Sequence, residues 1–147
     1  MFRKDRGKCG RHIKWQLKSP CDLYIEGYGE MYDMPWGNVE KQKTIDFCKK
    51  IVTVEMVGDI TTIGKYGFAA FVNMSQCLLP QSLVLVDEWA FAHCQGIQYF
   101  ALPQSVQLIA QGAFYECYNL EVIKIPQSTT VAGNAFLNCD KARLYFV

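Results

Sequence analysis

Long apolar runs are missing from this chain, and no stretch approaches the ~18 residues that a membrane-spanning helix needs. No secretory leader is visible either, because Met1-Phe2-Arg3-Lys4 leads into charge rather than into an apolar segment. As written, the chain is expected to be cytosolic, or else a mature or excised piece whose leader lies elsewhere. Net charge is almost absent, at +1 over 147 residues, which argues against a general nucleic-acid binder. Histidine is scarce: His12 and His93 stand too far apart in the pattern to suggest a pair. The 7 cysteines contain no Cys-x-x-Cys, so no zinc or dithiol motif is present. Cys9 and Cys21 flank the N-terminal segment and are the one pair worth testing for a bridge. Gly27-Tyr28-Gly29 lacks the third glycine and the helical pattern of a nucleotide loop, so no cofactor is expected and a bend is the simpler reading.

What is present is a repeat. Trp89-Ala90-Phe91-Ala92-His93-Cys94 returns as Gly112-Ala113-Phe114-Tyr115-Glu116-Cys117 and as Asn134-Ala135-Phe136-Leu137-Asn138-Cys139, with the phenylalanines 23 and then 22 residues apart. A weaker copy upstream puts Phe68 at the phenylalanine place and Phe71 at the cysteine place. Leu79-Pro80-Gln81-Ser82, Leu102-Pro103-Gln104-Ser105 and Ile125-Pro126-Gln127-Ser128 recur at the same offset. A fixed period of this length means a solenoid, in which each coil rests on the last. Short strands should run before the prolines, with Cys77 and Leu79, Phe100 and Leu102, and Ile123 and Ile125 facing inward. Each strand ends at its proline, which cannot donate to a continuing ladder. The repeated Phe should fill the space between the two sides of each coil, and Cys94, Cys117 and Cys139 should stack as small buried hydrophobes.

The N-terminal part is read in pieces. Residues 1–11 form a basic tail, and residues 12–38 a β-hairpin cap in which Ile13, Trp15 and Leu17 share one face. Residues 39–147 form the solenoid of about four coils. A short helix is expected within 39–50, with Ile45 and Cys48 inward. Ile51-Val52-Thr53-Val54 reads as a strand with Val52 and Val54 inward. The fold class is therefore an α/β-type repeat solenoid of mostly short parallel β-strands, with turns or short helices opposite.

These residues resemble a known family. Leu120-Glu121-Val122-Ile123-Lys124-Ile125-Pro126-Gln127-Ser128, followed by Val131 to Cys139, looks like the BspA-like leucine-rich repeat. Trp15-Gln16-Leu17, Leu23 to Met31 and Pro35-Trp36 resemble the hairpin segment that often precedes the first repeat in such proteins. The resemblance covers about residues 12–147 and implies a right-handed leucine-rich-repeat solenoid with a parallel strand ladder on one face. It also implies a secreted or cell-surface protein of the kind found in host-associated bacteria and some protists, linked to adhesion and host-protein binding, with no catalytic residues in the repeat. Asp87 and Ala110 depart from the family's usual Gly, Phe71 replaces the first Cys, and the fourth coil is one residue short.

With the family's inward positions, the outward ones become Gln76 and Leu78, Tyr99 and Ala101, Val122 and Lys124, and Leu144 and Phe146. Outward strand positions are usually polar, so Leu78, Tyr99, Val122, Leu144 and Phe146 would form an apolar stripe, with Lys124 beside it. Such a stripe marks a surface for a protein partner. The chain stops in an apolar strand, Arg143-Leu144-Tyr145-Phe146-Val147. Either the protein continues beyond it, or this edge makes a homo-oligomer contact. A His93/Cys94 nucleophile is rejected because adjacent side chains point apart, and no catalytic, metal or cofactor residues are assigned. Asn73-Met74-Ser75 fits a glycosylation sequon, relevant only in a eukaryotic secretory setting.

Overall fold

Alternation between surface and interior generates three antiparallel strands at the start: β1 (Arg6–Gly10), β2 (Ile13–Ser19) and β3 (Asp22–Glu30). The computed structural model describes residues 5–147. The expected hairpin is β2–β3, with Trp15 opposite Ile25 and Leu17 opposite Leu23. The basic tail needs correcting. Arg6 to Gly10 pairs with β2, placing Gly7 opposite Trp15 and Lys8 opposite Lys14. Charge misled here: Arg6 and Lys8 stay at the surface while Cys9 goes inward, as any half-buried strand does. The first four residues of that expected tail lie outside the described residues. Cys9 and Cys21 are both free and lie at opposite ends of the β1–β2–β3 meander.

The cap is continuous with the solenoid. β3 pairs in parallel with β4 (Thr53–Ile63), from Leu23 opposite Val54 to Glu30 opposite Thr62. Helix α1 (Gln42–Lys50) connects them, burying Thr44 and Cys48 and half-burying Ile45. Of the expected inward pair, Val54 is buried but Val52 is exposed, and Ile51 is buried in its stead. The reason is local: Ile51 caps the end of α1, and the strand alternation begins only at Thr53.

Two strand ladders leave β4. Thr62 and Ile63 pair with β6 (Leu85–Val86), which continues to β8 (Leu108–Ile109) and β10 (Thr130–Val131). On the other side stand β5 (Gln76–Leu78), β7 (Tyr99–Ala101), β9 (Val122–Ile125) and β11 (Arg143–Phe146). The four coils are thus 53–75, 76–98, 99–121 and 122–142. Phe100, Leu102, Ile123 and Ile125 are buried as expected, whereas Cys77 and Leu79 are only half-buried.

Between the ladders runs a column of rings. Phe68 and Phe91 stack at 5.5 Å, Phe91 and Phe114 at 5.1 Å, and Phe114 and Phe136 at 5.1 Å. Trp36 joins the cap to this column: it lies 6.4 Å from Phe68 and 5.3 Å from Phe47, and its Nε1–H donates to Gly67 O at 2.6 Å. The repeated thiols bridge coils, with Cys94 donating to Phe68 O (3.1 Å), Cys117 to Phe91 O (3.2 Å) and Cys139 to Phe114 O (2.8 Å).

Candidate binding face and a gap in its ladder

The outward face of β7, β9 and β11 carries the candidate residues. In register, Tyr99 stands opposite Val122 and Ala101 opposite Lys124, and these face Arg143 and Tyr145 on β11. Tyr99 is 55% exposed, and the Lys124 ammonium sits 5.8 Å from its ring centre. Tyr145 is also exposed. The result is a flat patch of two tyrosines, one valine and two cations.

Leu144 and Phe146 are not on this face. They pair with Ile123 and Ile125, the inward residues of β9. The cause is spacing: Phe114 to Ile123 is nine residues (123 − 114), whereas Phe136 to Leu144 is eight (144 − 136), so the last strand arrives one position early. A one-residue slip exchanges the two faces of a strand. Leu144 and Phe146 are nevertheless 37% and 51% exposed, because β11 is the edge of its sheet. Sequence reasoning missed Arg143 and Tyr145, which that count of residues from the phenylalanine would have found.

Leu78 is also separated from the rest. It is 51% exposed on β5, but β5 pairs only with β4, and the sheet β11–β9–β7 stops at β7. Among the described residues, no backbone hydrogen bond joins β5 to β7. At the equivalent places, Gln76 N–H donates to Val52 O at 3.4 Å and Val122 N–H to Gln98 O at 3.2 Å, but Tyr99 N–H has no such bond to Ser75. Leu102 N–H donates to Lys124 O at 3.0 Å, yet Leu79 N–H does not reach Ala101.

Two side-chain links fail at the same junction. Asn73 Nδ2 donates to Lys49 O (2.6 Å), tying the first coil to α1, and Asn119 Nδ2 to Gln95 O (2.8 Å), tying the third coil to the second. The residue midway between them, 23 from each (96 − 73 and 119 − 96), is Gly96, which has no amide to offer. Gly96 instead packs its backbone tightly, since a Cβ there would stand 2.8 Å from Met74 O. Farther on, Ser82 donates to Ile60 O (2.7 Å), while the Ser105 hydroxyl, 23 residues on (105 − 82) at the same place in the repeat, is buried without a partner. The coils rejoin where Gln107 N–H donates to Val84 O at 2.8 Å. Between these points lies a cleft of about 800 Å³ that opens beside Leu78 and Tyr99.

Among the described residues, no catalytic arrangement emerges around the thiols. Burial pushes the Cys94 thiol well above its ordinary range, and His93 Nδ1 pairs with Glu116 at 3.2 Å, away from it. Asn73, in the sequon, has its amide engaged with Lys49 O.

Strand ladders, short turns and a ring column repeated every coil define a leucine-rich-repeat solenoid. The chain belongs to the BspA type leucine rich repeat family, whose repeat matches residues 41–143 in six copies. The fold is similar to a leucine rich repeat protein of T. pallidum, at 19% identity and TM-score 0.69, covering 91% of this chain and 68% of that one. A leucine rich cell surface protein of Faecalibacterium prausnitzii is similar at 19% identity and TM-score 0.70, covering 91% and 37%. A leucine-rich repeat protein of Eubacterium ventriosum is similar at 18% identity and TM-score 0.68, covering 95% and 43%. The chain thus spans about two thirds of the first and less than half of the other two. No curated protein matches it by sequence. The repeat family and its fold are generally non-catalytic, and they suggest a protein-binding or surface repeat module. No helix among the described residues is long and apolar enough to cross a membrane.

Proposed function

We propose that this chain is a non-catalytic protein-binding module, and that it engages a host or surface protein through the outward face of β7, β9 and β11. One observation carries the reading: Tyr99 and Tyr145 lie exposed beside Val122, with Lys124 and Arg143 between and around them. Tyrosine and arginine are the residues most often responsible for binding energy at protein interfaces. The cell-surface description of one structural neighbour supports a secreted or surface location; the adhesive role is our extension of the protein-binding reading. Tyr99→Asp and Val122→Asp put a charge on the face at exposed or half-buried positions. In surface plasmon resonance against purified host-surface proteins, a partner that binds the parent chain should lose at least tenfold in affinity to each variant. Light scattering should stay unchanged. Undiminished binding by both variants overturns the reading.

A second reading is self-assembly. Among the described residues, β11 pairs with β9 alone, and all four of its residues are exposed. An open edge strand is a template for another chain. A monomer by light scattering at high concentration rules this out.

A further inference from the structure

We propose that the gap between β5 and β7 is an insertion slot for an extended, uncharged segment of a partner protein, which enters as a parallel strand and completes the broken ladder. The proposal rests on the protein-binding reading above and gives it a mode of contact.

The gap is built into the chain. Three kinds of cross-coil link made at the preceding junction are missing together here: the asparagine bridge at Gly96, the strand ladder from Tyr99 to Leu79, and the Ser105 hydroxyl bond. The ring column is splayed just before it. Phe68 and Phe91 are inclined by 22°, against 10° and 6° for the next two pairs. The inward residues differ in size as well, with a small Cys77 on one wall and Phe100 on the other. Phe100 turns its ring to Phe91 and Phe114, at 5.1 and 5.4 Å, and Cys77 is half-buried as a residue although burial pushes its thiol well above the ordinary range.

Both walls are strand edges. By their place in the repeat, Tyr99 on one wall and Leu79 on the other direct their N–H groups at the gap. β5 and β7 run in the same direction, as each is the start of a successive coil. The hydrogen-bonding pattern they offer is therefore that of a parallel ladder missing one strand. A chain segment can satisfy such a pattern along its whole length, which is how strand addition gains affinity.

The lining also selects the occupant. No charged residue lines the cleft, and its polar side chains include Gln76, Gln81, Gln98 and Gln104. These amides can donate to and accept from a peptide but cannot neutralise a carboxylate or ammonium, so a charge placed there would be desolvated without a partner. Gln76 to Leu79 is four residues of wall, or about 13 Å at about 3.3 Å per residue, which sets a segment of about four or five residues. Proline is excluded because it cannot donate to the ladder. Alternate side chains would fall toward Cys77 and Phe100, where a small apolar group fits, and outward beside Leu78 and Tyr99.

The test uses the whole chain and amide hydrogen exchange read by NMR. In the free, dilute protein, the Tyr99 and Leu79 amides should exchange at least tenfold faster than those of Val122 and Leu102. Equal protection would mean that the ladder is closed, which overturns the proposal. The probe is an acetylated, amidated Thr-Val-Thr-Val-Thr peptide, which should raise protection at Tyr99 and Leu79 at least tenfold at saturation. No rise in protection overturns the proposal, and so does an equal effect from the same peptide N-methylated at its valines, because backbone pairing is then not the mode. Protection that grows with protein concentration alone shows a second copy filling the slot and overturns a partner segment. Leu78→Asp and Ala101→Asp, both at exposed positions, should abolish the peptide effect while the remaining amides keep their exchange rates. If a partner is lost to Val122→Asp yet binds Leu78→Asp and Ala101→Asp as tightly as the parent, the slot idea falls and the face reading stands.

Discussion

Single residues show how the repeat is held. Phe68, Phe91 and Phe114 each touch a ring on either side, Phe136 ends the column against Phe114 alone among the described residues, and Phe114 meets Phe91, Phe100 and Phe136 at 5.1–5.4 Å. Phe114→Ala should lower the unfolding free energy by about 3–5 kcal/mol, as large-to-small core changes do, seen as a lower urea midpoint. The buried thiols have a different signature. Burial pushes Cys9 and Cys48 up from an ordinary 9.0 to about 12. A folded value above the unfolded one keeps its stabilisation below pH 9 and loses it as pH rises toward 12. The urea midpoint should therefore fall between about pH 9 and 11, and Cys9→Ala with Cys48→Ala should flatten that fall. The role of the cysteine ladder was legible as buried scaffold. Its second use, as a thiol donating to a Phe carbonyl one coil back, was not, because sequence spacing gives no direction for an S–H.

Among the elements, the tight turns after β4, β6, β8 and β10 share a strained backbone. Ala70, His93, Glu116 and Asn138 occupy the same place in successive coils, with φ of 64°, 62°, 56° and 63°. Non-glycine residues hold this left-handed conformation at a cost of about 1–2 kcal/mol, here offset by bonds such as Ala70 N–H to Ala92 O at 2.8 Å. Ala70→Gly should relieve that strain and raise stability by up to about 1 kcal/mol, after the extra chain entropy of glycine is subtracted. A lower urea midpoint in this variant would show the turn unstrained. The strands with a full repeat on either side were readable from the prolines and the inward apolar pairs. β11 was misread because its coil lost a residue on each side of Phe136, and β1 because its surface residues are cationic. The β5–β7 gap left one trace in the sequence, Gly96 at an asparagine place, and a pattern search for what recurs passes over what fails to recur.

Taken whole, the molecule is one continuous hydrophobic column with a cap at one end. Trp15, Trp36 and Phe47 pack at 5.3–5.6 Å, and Trp36 passes the contact on to Phe68 and Phe71. Removing that joint should split a single transition into two. In Trp36→Ala carrying Trp89→Phe, where Trp15 is the one tryptophan left, urea unfolding followed by fluorescence should precede the loss of far-ultraviolet circular dichroism, whereas the two curves of the Trp89→Phe chain should coincide. The solenoid was visible from the period, because each coil repeats the same burial problem, and the family from the motif of Leu120 to Cys139 together with the hairpin segment before the first repeat. The cap's merger with the first coil through β3 and β4 was not, since a parallel pairing leaves no turn sequence between its strands.

The splayed junction has a mechanical meaning. A solenoid pulled by its two ends carries load through its coils in series, and each coil is held mainly by its nearest neighbour. The junction between β5 and β7 keeps its ring contact but lacks the three lateral fasteners made at the junction before it. Under tension it is the place where the column parts first, and a strand seated in it would act as a splint.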